Sequence, residues 1–202
     1  MPYPPLPRDF YNRPALAVAR DLLGATLVRV DDGEIISGII TETEAYQGEE
    51  DLACHARAGR TPRTAVMYGP AGIAYVYFTY GMHWMLNVVT DAVDTPAAVL
   101  IRAIRPIQGI DRIAQRRRGQ PPAHWTDGPA KLTLALGIDG RHNGLDLCDP
   151  SGACFIAPGP VVPDKFIQTT PRIGLFSVPE PWKSVPWRFI TTSPAADRHQ
   201  ST

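Results

Sequence analysis

Ala25-Thr-Leu-Val-Arg-Val-Asp-Asp-Gly-Glu-Ile-Ile-Ser-Gly-Ile-Ile-Thr-Glu-Thr-Glu-Ala-Tyr46 holds two runs rich in β-branched residues, Ala25–Val30 and Ile35–Tyr46. Between them stands Asp31-Asp32-Gly33, a turn by composition, because Asp and Gly tolerate the positive φ that a hairpin needs. The two runs therefore read as a β-hairpin. Upstream, Pro14 suits the first turn of a helix over Ala15–Leu23 that Gly24 ends, and residues 1–11 form a Pro-rich arm. Downstream, His55–Pro70 is a turn-rich, Arg-bearing loop. From Thr64 to Thr90 there is no Asp, Glu, Lys or Arg, a length at which a membrane span has to be considered. Gly69-Pro70, Gly72, Gly81, His83 and Asn87 interrupt the stretch, and Tyr75 and Tyr77 recur at spacing two. Two strands joined near Tyr80-Gly81 explain it better, with Val76 and Phe78 in the core. Ala97–Ile104 reads as a third apolar strand. Gly109–Arg118 and Pro129–Leu136 read as short helices, the second opened by Asp127 and closed by Gly137. Cys154–Ala157, Arg172–Phe176 and Trp187–Thr191 read as further strands. The expected architecture is α+β: a single domain over 1–202 with a curved, largely antiparallel sheet, short flanking helices and a tail at 194–202.

Composition excludes several classes. A chain of 202 residues, 44% hydrophobic and 20% charged, fits one globular domain and not a disordered chain. Three cysteines, none spaced C-x-x-C, argue against a disulfide framework or a thiolate zinc site, so the reducing cytoplasm is the expected compartment. The Pro-rich opening lacks the apolar run of a signal peptide. Dinucleotide and P-loop glycine motifs, H-E-x-x-H, the G-x-S-x-G elbow and the zinc-deaminase pattern are all absent.

Lys plus Arg and Asp plus Glu both number 20, yet the signs are segregated. Eight acids and no Lys or Arg lie between Asp31 and Asp51, whereas six arginines and one acid lie between Arg102 and Arg118. His55, Arg57, Arg60 and Arg63 form a second basic cluster. Seventeen of the 20 cations are Arg, whose planar fork grips phosphate in a fixed orientation. The two Arg-rich runs are either solvated faces or a phosphate-binding face, which needs local field more than net charge.

Two constellations carry chemistry. In Thr41-Glu42-Thr43-Glu44-Ala45-Tyr46 the two glutamates share a strand face with Tyr46. A carboxylate beside another and against an aromatic has a raised proton affinity, the requirement for a general base near neutral pH; the alternative is a strand face wetted by solvent. Glu44 is the better base, at the strand end beside the loop carrying His55. In Tyr75–Asn87, Tyr80 precedes a Gly turn and should project outward, where it could stack on bases or wedge into a duplex. Asn87, an amide in an apolar strand, either reads a ligand edge or is a satisfied core Asn.

Glu42-Thr-Glu-Ala-Tyr46 with Asp51 and His55, Arg60-Thr-Pro-Arg63, Tyr75-Val-Tyr77, Tyr80-Gly-Met82, Asn87, Leu100-Ile-Arg102 and Gly128-Pro-Ala-Lys131 together resemble the alkyladenine (3-methyladenine) DNA glycosylase family of the mammalian type, in order along nearly the whole chain. The resemblance implies a monofunctional, monomeric DNA glycosylase of base excision repair, cytoplasmic or nucleoid-associated, that needs no metal or cofactor. Its partner would be double-stranded DNA carrying alkylated or deaminated purines: 3-methyladenine, 7-methylguanine, hypoxanthine or ethenoadenine. By the same resemblance Glu44 activates the water, and Arg102 positions that water and the nucleotide's phosphate. Tyr46, His55 and Tyr77 stack around the everted base, and the main chain near His55 reads its edge. Asn87 rejects guanine's 2-amino group, while Tyr80, with Met82 beside it, fills the vacated stack. Arg57, Arg60, Arg63 and Lys131 are the phosphate-binding candidates. His83 and Ala56 depart from the family's usual aromatic and Ser. Two other functions compete at this stage: a non-catalytic sensor of damaged DNA, and a metal-dependent hydrolase using Glu42, Glu44 and His55.

Overall fold

The computed structural model describes residues 4–192, so the expected tail at 194–202 lies outside the described residues. Eight strands are found among them: β1 (Thr26–Asp31), β2 (Glu34–Gln47), β3 (Ala74–Thr79), β4 (His83–Val89), β5 (Ala97–Gln108), β6 (Cys154–Ala157), β7 (Ile167–Thr170) and β8 (Arg188–Thr191). Four α-helices accompany them: α1 (Arg8–Tyr11), α2 (Ala15–Asp21), α3 (Ile110–Arg116) and α4 (Pro129–Leu136). The hairpin read from the sequence is present as β1 and β2, paired from Asp31↔Glu34 to Thr26↔Ile39. All strand pairs are antiparallel, in the order β3-β4-β5-β2-β1-β6, with β8 joining β2 and β7 joining β8. The molecule is α+β.

The 14-residue β2 is the axis of the sheet. One edge pairs with β5; the other pairs with β1 near the hairpin and with β8 over Glu42–Glu44. Three register shifts against β5, at Ser37/Gly38, Ile40/Glu42 and Glu42/Thr43, mark bulges, which bend and twist a long strand. Gly38 sits at the first; a Cβ there would meet the Arg105 carbonyl oxygen at 2.8 Å. The α2 residues Val18 and Ala19 bury against this sheet with Ile40 and Ile101, and Thr43 Oγ1 donates to the Ala19 carbonyl at 2.7 Å. On α4, Leu132 and Leu136 join the same core, and Thr133 Oγ1 donates to the Trp84 carbonyl at 2.8 Å.

Several local expectations need correction. Phe78 is 45% exposed, not core, while Val76 is buried. Phe78 pairs with Trp84 near the tip of the β3–β4 hairpin, 4.8 Å between ring centres, whereas Val76, paired with Leu86 nearer its base, packs into the core. β5 continues past Ile104 to Gln108; beyond the β4 pairing no described strand pairs with its outer edge, where Ile104 instead exchanges hydrogen bonds with Thr126, and a strand tolerates Pro106 at such an edge. Gly128, not Asp127, caps α4, because the Asp127 carboxylate is engaged by Lys131 and His124. Arg172–Phe176 is not a strand: the Arg172 side chain donates to the Ala45 carbonyl, the Ile173 N–H donates to the Glu44 carboxylate, and Gly174 has φ +84°. The missed strand, β7, is the short and polar Ile167-Gln-Thr-Thr170. Within the Pro-rich arm, the Leu6 N–H donates to the Ile156 carbonyl at 2.7 Å and Tyr11 is fully buried, so residues 4–11 fold against the body.

Candidate active site

The strands bring one end of β2, the pocket face of β3–β4 and two loops around a cavity of about 320 Å³, within the size range of small-ligand sites. Glu44, Tyr46, His55, Tyr77, Tyr80, Asn87 and Arg102, distributed over almost 60 residues of sequence, all line it. β2 supplies Glu44 and Tyr46, β5 supplies Arg102, and β3–β4 supply Tyr77 and Asn87. A 3-10 turn over His55–Ala58 presents His55. Tyr75, Met67, Leu100 and the segment Ile173-Gly174-Leu175 complete the wall.

At the floor, the two glutamates converge on one guanidinium. Arg102 Nε donates to Glu42 Oε1 at 2.6 Å, and Arg102 Nη1 lies 3.2 Å from Glu44 Oε1. Arg188 donates to Glu42 as well. Glu44 is fully buried, and its two oxygens are held from further sides: Oε2 accepts from Tyr46 Oη at 2.8 Å, and Oε1 accepts from the Ile173 N–H at 2.7 Å. Burial pushes the Glu44 carboxyl above its ordinary value, against the opposing pull of Arg102, the Ile173 amide and the Tyr46 hydroxyl. Burial, with Glu44 beside it, keeps the Tyr46 phenol protonated.

The upper wall is aromatic. The rings of His55 and Tyr77 stand edge-on at 4.5 Å, those of Tyr75 and Tyr77 at 5.3 Å, and His55 Nδ1 lies 2.9 Å from Tyr75 Oη. Burial, with Arg63 and Arg57 nearby, pulls the His55 pKa down to about 4, so the imidazole is neutral at physiological pH. The Asn87 amide donates to the Tyr75 carbonyl at 3.0 Å across the β3–β4 pair while lining the cavity, so it is both satisfied and placed at the wall.

The rim contrasts with the floor. Tyr80 is 76% exposed and Met82 is 67% exposed at the hairpin tip. Among the described residues four non-glycine residues have positive φ; three are Asp, and the fourth is Tyr80 at +52°. A bulky side chain in that region costs about 1–2 kcal/mol, and strain of this kind persists where the surroundings enforce it, commonly at sites of function. Arg63 lies over the Tyr77 ring at 5.2 Å. Arg57 reaches the Leu52 carbonyl, Arg60 pairs with Asp94 at 3.1 Å, and Lys131 pairs with Asp127 at 2.9 Å. Exposed pairs of this kind contribute little and exchange readily.

The Arg102–Arg118 run does not form one phosphate face. Arg102 is buried at the floor, Arg112 and Arg116 pair with Asp31 at the far end of β2, and Arg117 holds the His124 carbonyl. Among the described residues no group of three His, Cys, Asp or Glu is arranged to hold a metal ion, and the guanidinium of Arg102 occupies the space between the two glutamates considered for one.

Sequence reading missed Tyr75 as a wall residue and the whole 172–175 segment. Arg172 and Asp51, 121 residues apart, form an ion pair with neither side chain exposed, which no local pattern reveals.

A family model described as methylpurine-DNA glycosylase matches residues 9–195. The chain is 50% identical over 183 residues to a protein of Myxococcus xanthus, covering 91% of this chain and 88% of that one. It is 48% identical to a protein of Carboxydothermus hydrogenoformans, covering 91% and 93%, and 49% identical to one of Methanocella arvoryzae, covering 92% of each. All three bear the name "Putative 3-methyladenine DNA glycosylase".

Proposed function

The chain belongs to the methylpurine-DNA glycosylase family of DNA repair hydrolases, and from that premise we propose that it everts an alkylated or deaminated purine nucleotide into the cavity and hydrolyses its N-glycosidic bond with a water activated by Glu44. One observation carries the reading: a fully buried carboxylate, raised in proton affinity yet held by three donors, at the floor of an aromatic-walled cavity.

In N-glycoside cleavage the transition state resembles an oxocarbenium ion, as in sugar hydrolysis. A carboxylate next to it both stabilises the positive charge and takes the proton of the attacking water. Arg102 and the Ile173 N–H aim one Glu44 oxygen and Tyr46 aims the other, so the base is oriented before the substrate arrives.

The leaving group is the purine. An alkylated purine already carries positive charge and needs no acid, and the phenol faces of Tyr46 and Tyr77 favour a cation. Neutral His55 can hydrogen-bond a base edge but is not charged to protonate it. Hence 3-methyladenine, charged and without a 2-amino group, is the substrate best matched by the wall; 7-methylguanine is equally charged but carries the 2-amino group that Asn87 meets and should follow it, with neutral hypoxanthine and ethenoadenine released more slowly. Tyr80 and Met82 fill the space the nucleotide vacates, and Arg57, Arg60, Arg63 and Lys131 exchange their present partners for phosphates. Asn87 screens purines by the group at position 2.

The test is base release from duplexes each carrying one of these four lesions, with Glu44→Gln beside the wild type. The variant should bind the lesion duplex and lose about 100-fold or more in release, the scale of a general base. Release at the wild-type rate would refute the role of Glu44.

A further inference from the structure

The Arg172 guanidinium makes four hydrogen bonds and two ring contacts beneath the 171–187 segment. Its Nη1 donates to Asp51 Oδ2 at 2.5 Å and to the Ala45 carbonyl at 3.0 Å, and its Nη2 to Asp51 Oδ1 at 2.9 Å and the Trp182 carbonyl at 3.1 Å. The guanidinium lies between the rings of Tyr46, at 4.7 Å, and Trp187, at 5.0 Å. Neither Arg172 nor Asp51 exposes any side chain, so the pair reaches neither solvent nor DNA. Buried ion pairs are weak contributors to stability compared with apolar packing of the same volume, which leaves their directional geometry to be explained.

That geometry converges on Glu44. The residue after Arg172 is Ile173, whose N–H donates to Glu44 Oε1; the ring on which Arg172 stacks is Tyr46, whose hydroxyl donates to Glu44 Oε2. Two of the three donors to the carboxylate are thus fixed by one guanidinium. Asp51 in turn accepts from the Gln47 and Ala53 N–H groups, tying the clamp to the loop that leads to His55. We propose that Arg172, locked against Asp51, is a positioning residue for base release: it holds the Ile173 amide and the Tyr46 hydroxyl where they aim and support the Glu44 carboxylate. The proposal rests on the reading of Glu44 as the general base.

The groups facing Glu44 are Glu42 and Tyr46 from β2, Arg102 from β5, Tyr77 from β3 and the Ile173 amide from the loop. Loosening the clamp removes the two donors and leaves the rest, so the carboxylate becomes harder to ionise.

The experiment is single-turnover release of 7-methylguanine from a duplex across pH, since that base keeps its charge over the acidic range. Arg172→Lys keeps the charge and loses the fork. The paired change Asp51→Asn with Arg172→Gln removes both charges, so that no lone buried ion threatens folding. Both variants should move the acidic limb upward by about one pH unit, the shift expected on losing a hydrogen bond to a charged oxygen. Rates should return toward wild type above the limb, with affinity for the lesion duplex unchanged. An acidic limb that stays in place in both variants, or a rate lowered equally at every pH, overturns the proposal. Glu44→Gln, run in parallel, separates the two readings: if it abolishes the limb while Arg172→Lys leaves it untouched, only the clamp fails; if it keeps the wild-type profile, the base assignment fails and the clamp with it.

Discussion

The two ends of β2 carry carboxylate–arginine clusters built from the same residue types and put to different uses. At the hairpin end Asp31 faces Arg29 at 3.2 Å, Arg112 at 3.8 Å and Arg116, and it does not line the aromatic-walled cavity. At the other end Glu44 and Glu42 share Arg102, Arg188 serves Glu42 alone, and the remaining donors to Glu44 are neutral. Three guanidiniums around one acid satisfy it and close the site. One shared guanidinium in full burial leaves an acid whose proton affinity is raised, beside space for a ligand. An ion pair is structural or reactive according to how completely the charge is matched and what lies on its open side.

Neutralising each acid in turn should give opposite results. Glu44→Gln loses release by about 100-fold or more, whereas Asp31→Asn keeps release near wild type and loses about 1–3 kcal/mol of stability, the worth of its charged hydrogen bonds; urea unfolding and release assays of both decide. A reversed pattern would erase the distinction.

Linkage sharpens it further. A folded-state pKa raised above the unfolded one means that Glu44 holds its proton more tightly when folded. The contribution of Glu44 to folding stability should therefore be greatest below the ordinary glutamate range and decline as pH rises from there through the raised value, while activity climbs over the same interval. In Glu44→Gln that decline should be absent, as thermal melting against pH can check.

At the rim, Tyr80→Asn relieves a positive-φ aromatic with a residue that tolerates the conformation, so stability should hold or rise by up to about 1 kcal/mol. Base eversion, read with a fluorescent purine, should weaken in the same variant, and an unchanged eversion equilibrium would remove Tyr80 from that role. The smallest effect separates the two clusters by salt: Arg57→Ala should lower the slope of log affinity against log salt by about one, and Arg112→Ala, beside Asp31, should leave it unchanged.

Much of this was legible. The β1–β2 hairpin followed from alternation around Asp31-Asp32-Gly33, and Glu44 with Tyr46 from spacing two on a strand that ends at a loop. Tyr80 was legible as an outward ring before a Gly turn. The failures are equally specific. Phe78 has the same alternation as Val76, yet it sits nearer the tip of the β3–β4 hairpin and stays exposed beside Trp84. Arg102, Arg112 and Arg116 look alike as a run, yet β5 and α3 carry them to opposite ends of β2.

The sequence by itself determined which side chains have the chemistry and which face of a strand each occupies, because both are set by residue type and by a local period of two. Tertiary structure alone decided which acid is matched, which arginine is buried, and that Arg172 meets Asp51 across 121 residues. Those outcomes depend on desolvation and on distances between segments far apart in the chain, and neither quantity exists until the sheet has closed around them.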